Sequence, residues 1–386
     1  MRWSNKGHEY DAEYENIEKL SRIYLFGAGH DGAMVKQILS ERYIGAAIEG
    51  FIDNDVRKQG TKYLGLSVYA LEDVERDVRT GIVVAFASEF TEKIDAQLMG
   101  QAWIKGVNFF HYEEFISVIA AYRYNELFIP SISFLPTTKC NLRCKACLNF
   151  TTYIKRFTER PLEELKADID LFFRTVDYVG LLFISGGEPL LYSAVAQLVR
   201  YIDETYGNKI YSLETVTNGT VAPSEEFLMA LRDTRLKITV DDYREALPEH
   251  KEKIEENLRK MQEAAGENKV IPRTYTEWVD LYPYPQKSMN EEELAQKYDR
   301  CHVPWQEYRN GKLYTCNYAA FASVAGLTGQ PDKTETYDFH AHKREDLKKA
   351  MEFRLGFSEK GYAEFCRECA GYLEINEHKV KPALQG

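Results

Sequence analysis

Twice along this chain, apolar runs that read as strands alternate with stretches of helical periodicity. Arg22 to Gly27 reads as a buried strand ending at a glycine, and Ala33 to Leu39 as an amphipathic helix. Ala47 to Ile52 is a second strand, ending at Asp53. Gly81 to Ala87 is a third, with a helical stretch from Ile94 to Met99 after it. Alternation of this kind implies a parallel, doubly wound sheet, and the unit closes near residue 125. A second series begins at Ile132. Its strands are Ile132 to Thr137, Tyr178 to Ser185, Lys209 to Thr217 and Leu236 to Val240. Its helices are Pro161 to Val176, Ala194 to Tyr206, Ser224 to Leu231 and His250 to Ala265. This is the rhythm of a whole or partial (β/α) barrel, in which the loops after the strands carry the chemistry. From about residue 290 the rhythm is lost, leaving a hairpin-like stretch around Gly311 and a helix from Arg344 to Phe353. The expected class is therefore α/β. It has an N-terminal parallel sheet over 1–125, a partial barrel over 126–290 and a small irregular domain over 291–386.

Two or three domains suit 386 residues, and 44% apolar residues are ample for packed cores. A formal charge of −11 argues against a nucleic-acid backbone as partner, because such proteins show a basic face. A small-molecule or peptide substrate fits better. No segment approaches the apolar length of a membrane span, and the first residues lack the apolar core of a signal peptide. A cytoplasmic protein is expected. The seven cysteines fall into a group of three and a group of four. An odd number in a reducing compartment makes a disulfide framework a poor explanation.

Cys140, Cys144 and Cys147 have the spacing C-x3-C-x2-C, just after a predicted strand. Three thiolates on one short loop can hold three irons of a four-iron cube and leave the fourth open to another molecule. A three-cysteine zinc site is the plainer alternative. One strand later comes Ser185-Gly186-Gly187-Glu188-Pro189. Here the chain resembles the radical S-adenosylmethionine (SAM) superfamily, whose GGEP motif binds the SAM amino group. The resemblance implies that SAM chelates the open iron of a [4Fe–4S] cluster. Reductive cleavage then yields a 5′-deoxyadenosyl radical that takes a hydrogen atom from the substrate. It also implies an external electron donor such as flavodoxin or ferredoxin. Two glycines let backbone approach a ligand closely, and a carboxylate can accept from an ammonium; an ordinary Gly-Gly turn is the alternative. Thr217 and Asn218 end the third strand of the series, and Thr239, Asp241 and Asp242 the fourth, where the family places SAM contacts. Each could instead cap the following helix. One departure is that Ala146 stands where the family usually has an aromatic residue, which puts adenine contact by that side chain in doubt.

Cys301, Gly311 and Cys316, followed by the pair Cys366 and Cys369, give C-x9-G-x4-C plus C-x2-C. This resembles the twitch domain, the short form of the SPASM extension, in which four such cysteines ligate an auxiliary [4Fe–4S] cluster. The alternative is a structural zinc site with four thiolates. In the N-terminal segment, Gly27, Gly29 and Gly32 with Asp53 fit a Rossmann-like phosphate site. The wider segment resembles Rossmann-like domains fused to capsule- and sugar-modifying enzymes; a degenerate docking domain is the alternative. The whole reads as a radical SAM oxidoreductase or epimerase with two [4Fe–4S] clusters, acting on a sugar, nucleotide-sugar or cyclitol. A maturase acting on a ribosomally made peptide is the alternative. No residue stands out as general acid or base.

Overall fold

In the computed structural model, which describes every residue except 87–90, 283, 285–287, 302–305 and 373–374, the chain divides into two units. One is Ser4–Pro130 with Lys343–Leu355; the other is Met1–Trp3, Ser131–His342 and Gly356–Gly386.

The N-terminal unit is built on a six-stranded sheet. Its central strand, β1 (Arg22–Phe26), lies parallel to β2 (Ala47–Ile52) on one side and to β5 (Thr80–Val84) on the other. The short β3 (Lys62–Tyr63) and β4 (Leu66–Tyr69) extend the first edge, and β6 (Phe109–His111) the second. The third strand expected from sequence runs from Thr80 to Val84, and Ala87, its expected end, lies outside the described residues. The helices are α1 (Asp11–Lys19), α2 (His30–Glu41), α3 (Thr91–Gly100) and α4 (Tyr112–Arg123). Phe26, Ile52, Ile82, Val84, Leu98 and Phe109 form one buried cluster. Each such side chain contributes about 1.5–3 kcal/mol on burial.

The second unit carries an eight-stranded sheet that stays open rather than closing as a barrel. Its strands β7 (Phe128–Phe134), β8 (Tyr178–Ile184), β9 (Ile210–Thr217), β10 (Lys237–Asp241) and β11 (Val270–Arg273) are neighbours in chain order. Between them run α5 (Leu162–Thr175), α6 (Val195–Tyr206), α7 (Glu225–Asp233) and α8 (Lys251–Ala265). Ser224 caps α7 by accepting from the Phe227 amide. The strand β7 begins four residues before the expected start at Ile132, because Pro130, which reads as a strand breaker, is accommodated inside it.

The chain after residue 290 continues this sheet. Past the antiparallel pair of β12 (Trp278–Val279) with β16 (Lys379–Val380), helix α9 (Glu291–Arg300) opens on a capping box made by Asn290 and Glu293. Strand β13 (Gln306–Arg309) then pairs parallel to β7, and β14 (Lys312–Tyr314) and β15 (Thr336–Asp338) add antiparallel strands. Asn310 and Gly311 both take positive φ at the β13–β14 turn, as a type I′ hairpin requires. Helix α10 (Asn317–Val324), buried at every residue but the last, follows. The helix expected near Arg344 is a 3-10 turn and then α11 (Leu347–Arg354), and it packs against α4 in the N-terminal unit.

Candidate active site

The loop after β7 holds the first three cysteines, and every sulfur faces a hydrogen-bond donor. The Leu142 amide donates to Cys140 Sγ at 3.5 Å, and the Asn218 side-chain amide approaches it more loosely at 3.9 Å. Gln385 Nε2 donates to Cys144 Sγ at 3.3 Å, and Thr151 Oγ1 to Cys147 Sγ at 3.2 Å. These cysteines pack against an apolar cluster of Leu142, Tyr243, Leu247 and Ile254. Burial pushes the Cys140 thiol up to about 12 and Cys144 up to about 11. Three thiolates in that setting need a cation to balance them, and a bound metal inverts the preference for the protonated form. Ala146, at the position where the family usually carries an aromatic residue, is buried in the same loop.

The Gly-Gly-Glu-Pro loop is hydrogen-bonded directly to this loop. The Gly187 amide donates to Thr137 O at 3.0 Å and the Glu188 amide to Lys139 O at 2.7 Å. Asn149 Nδ2 donates to Gly186 O. A Cβ at Gly187 would lie 2.3 Å from Lys139 O and 2.6 Å from Thr138 O. The glycine is thus demanded by the backbone that leads straight into Cys140.

Glu188 is 1% exposed and already engaged by the protein. Its Oε1 accepts from the Leu190 amide at 3.1 Å and from Thr217 Oγ1 at 2.8 Å. Its Oε2 accepts from the Asn218 amide at 2.8 Å. Burial pushes the carboxyl up to about 7, against these three donors. Glu188 therefore ties the end of β8 to the end of β9. Pro189 opens the short 3-10 turn that follows. Asn218 reaches the cysteine loop through Asn141, Nδ2 to Oδ1 at 3.1 Å, and Asn141 in turn donates to Thr220 Oγ1 at 2.6 Å.

At the end of β10, Asp241 and Asp242 differ sharply. Asp242 is forked by Arg244 at 2.6 and 2.7 Å, which holds its carboxyl low. Asp241 accepts from the Tyr243 hydroxyl through Oδ2 at 2.7 Å, and the Tyr275 hydroxyl also acts on this carboxyl, while its buried Oδ1 has no hydrogen-bond partner among the described residues. Burial pushes Asp241 up to about 6, and its charge is felt at both Cys144 and Glu188. Thr239 is half-buried on the same strand, in register with Val216 and Ile271.

The four later cysteines line one cavity. Cys301, at the end of α9, and Cys316, at the start of α10, meet Cys366 and Cys369 there. Lys297 Nζ donates to Cys366 O at 3.0 Å and also to Cys369 O, which fixes the C-x2-C turn. The Gly371 amide donates to Cys369 Sγ at 3.2 Å. Burial raises all four thiols, Cys369 to about 12. Among the described residues no three Cys, His, Asp or Glu side chains converge as tightly as a single metal ion requires. Phe150, three residues after Cys147, meets Phe365, next to Cys366, at 5.5 Å between ring centres, so one apolar cluster joins the two cysteine loops.

In the N-terminal unit the glycine loop is crowded at two positions and open at one. A Cβ at Gly32 would lie 2.0 Å from Gly27 O, and one at Gly27, whose φ is +122°, 2.9 Å from the Phe86 ring. A Cβ at Gly29 would meet no atom of the described residues within 4 Å. Asp53 is spent on local contacts. Its Oδ2 accepts from the Ala28 amide at 3.0 Å and from Lys58 Nζ at 2.8 Å, and its Oδ1 from the Asp55 amide at 2.9 Å.

Sequence reasoning missed Gln385, Thr151, Asn141 and Asn149. Only their position beside motif residues could have drawn attention to the last three, and nothing local marks Gln385.

The open βα sheet thus carries the first cysteine loop at the carboxyl end of β7. Residues 134–275 match the model of the radical SAM superfamily. The chain thus carries a radical SAM domain, and that family implies SAM and a [4Fe–4S] cluster. A comparison with curated proteins returned no match. Among solved structures the chain is similar to Streptococcus suis SuiB bound to the precursor peptide SuiA, at 16% identity and a TM-score of 0.30. That match covers 57% of this chain and 52% of SuiB, so the chain spans about half the length of that protein. It is also similar to SuiB bound to S-adenosylmethionine, at 17% identity, the same coverage and the same TM-score. BtrN in complex with AdoMet and 2-DOIA is 18% identical, with a TM-score of 0.38 over 62% of this chain and 92% of BtrN. Among the described residues no helix is long and apolar enough to cross a membrane.

Proposed function

We propose that the chain is a radical SAM enzyme that holds its reactive [4Fe–4S] cluster on Cys140, Cys144 and Cys147. The observation that carries this reading is the ring of donors on the three sulfurs, in a loop hydrogen-bonded to Gly187 and Glu188. N–H and O–H groups aimed at sulfur suit thiolate ligands. When bound, the cluster and SAM would supply a carbon-centred radical that takes a hydrogen atom from the substrate. The protein's own part is placement. Gly186 and Gly187 keep their backbone pressed to the cysteine loop, and Glu188 with Thr217 and Asn218 fixes the two strand ends around it. Asp241 Oδ1, buried and without a hydrogen-bond partner among the described residues, would accept from a hydroxyl or ammonium of SAM, and Thr239 and Pro189 would contribute to the same SAM site.

Cys301, Cys316, Cys366 and Cys369 would hold the auxiliary cluster of a twitch domain. Four thiols lining one cavity, two of them buried and two half-buried, suit a cubane better than one zinc, whose ligands lie about 2.3 Å from a single centre. The substrate class we assign is a sugar, nucleotide-sugar or cyclitol, to be oxidised or epimerised, with flavodoxin or ferredoxin as electron donor. It rests on the resemblance of the N-terminal unit to Rossmann-like domains fused to capsule- and sugar-modifying enzymes.

The test begins with anaerobic reconstitution, which should give about eight irons per chain, four for each cubane. Reduced protein should then cleave SAM to 5′-deoxyadenosine. Deuterated nucleotide-sugars or cyclitols should pass deuterium into that product. Deuterium arriving only from a peptide would overturn the substrate class, and zinc in place of half the iron would overturn the auxiliary cluster.

A further inference from the structure

We propose that Gln385 is a positioning residue for the three-cysteine loop and helps to set the reduction potential of the cluster held there. The inference rests on the reading of Cys140, Cys144 and Cys147 as iron ligands. Gln385 is 241 residues from Cys144 in sequence, yet its Nε2 donates to Cys144 Sγ at 3.3 Å. The segment around it lies along the cysteine loop like an added strand. The Lys145 amide donates to Leu384 O at 2.7 Å, and the Gly386 amide to Arg143 O at 2.7 Å.

The orientation of the Gln385 amide is fixed by its neighbours. The Arg143 backbone N–H can only donate, and it meets Gln385 Oε1 at 2.7 Å. The amide nitrogen must therefore face the other way, toward Ala383 O at 2.7 Å and Cys144 Sγ. One amide hydrogen serves each acceptor. Ala383 itself is fully buried in the cluster that packs the cysteines, so the side chain is anchored from below.

A donor on a ligating sulfur favours the more negative, reduced cluster, and hydrogen bonds to sulfur are one of the means by which a protein tunes such potentials. Removing the donor should make the cluster harder to reduce. The three-cysteine cluster is recognised in the experiment as the one whose EPR signal changes when SAM is added. Its midpoint potential is measured by redox titration in the parent, in Gln385→Leu and in Gln385→Glu, with iron counted in each. The Glu variant keeps an oxygen for the Arg143 amide and loses both donors, so loop docking and the N–H···S contact are separated.

We expect a lower potential in both variants. The reduced-to-oxidised ratio at a fixed potential should fall on the order of tenfold, about 59 mV for one electron. Loss of that cluster from both variants, with the other cluster retained, also supports the positioning role. Full iron content and an unchanged potential in both variants would overturn the proposal. Absence of a SAM-responsive cluster from the parent protein would instead overturn the assignment of the three cysteines, leaving Gln385 as a plain packing contact.

Discussion

Glu188 occupies a motif position usually thought of as facing a ligand, and its carboxylate is held by three donors of the protein itself. Replacing it by Gln would turn an acceptor into a donor against the Asn218 or Leu190 amide. A buried unmet donor costs about 1–3 kcal/mol, so Glu188→Gln should lose that much stability in urea denaturation. Buried Glu307 makes a different prediction. It has no exposed surface, neither oxygen has a hydrogen-bond partner among the described residues, and Arg309 lies 3.3 Å away with Arg160 also acting on it. Burial raises its pKa from the ordinary 4.5 to about 7. Between these values the folded state binds the proton and the unfolded state releases it. The contribution of Glu307 is therefore fully present below about pH 4.5 and is lost as pH rises through 7. Unfolding free energy of the parent should fall by on the order of 2–3 kcal/mol from this group between pH 5 and 8, and Glu307→Gln should flatten that slope. An unaltered slope in the variant would assign the pH dependence to other groups.

Among the elements, those legible in the sequence had a strong period or a distinctive turn. The helices α5, α6, α7 and α8 each present one apolar stripe, and the Asn310–Gly311 hairpin carries its turn chemistry in its residue types. Helices α4 and α10 were not legible, because a helix buried on nearly all sides has no stripe to read. The motif residues themselves were legible, whereas their supports were not. Gln385 and Thr151 are ordinary residues until the fold brings them to sulfur. The link between the Gly-Gly-Glu-Pro loop and the cysteine loop gives an element-scale prediction. Gly187→Ala would drive a methyl into the Thr138 and Lys139 carbonyls, which cannot swing aside as a side chain does. The variant should keep its circular dichroism but retain only about four of about eight irons. Replacing Cys366 and Cys369 with Ala should give a similar iron count with the opposite survivor, since the SAM-responsive EPR signal should remain. Equal loss of both signals in either variant would show that the two loops fold as one.

For the molecule as a whole, the N-terminal unit is completed by a distant piece of chain. Leu347, Ala350, Met351 and Phe353 of α11 are buried, and Glu352 accepts from the Gly7 amide at 2.6 Å and the Glu9 amide at 2.9 Å. A fragment of residues 4–130 should therefore be poorly protected in hydrogen exchange, and a peptide of residues 343–355 added in trans should restore protection of α4 and of the Gly7 and Glu9 amides. Full protection without the peptide would make α11 dispensable. The same return of the chain has a consequence for the timing of synthesis. A ribosome that has finished Pro130 must still translate the whole segment Ser131–His342 before α11 emerges. At about 5–20 residues per second, that leaves the first unit waiting roughly 10–40 s with an apolar face uncovered. The cysteine loop is itself made during that interval, so the first three cysteines emerge on a nascent chain of which neither unit is yet finished.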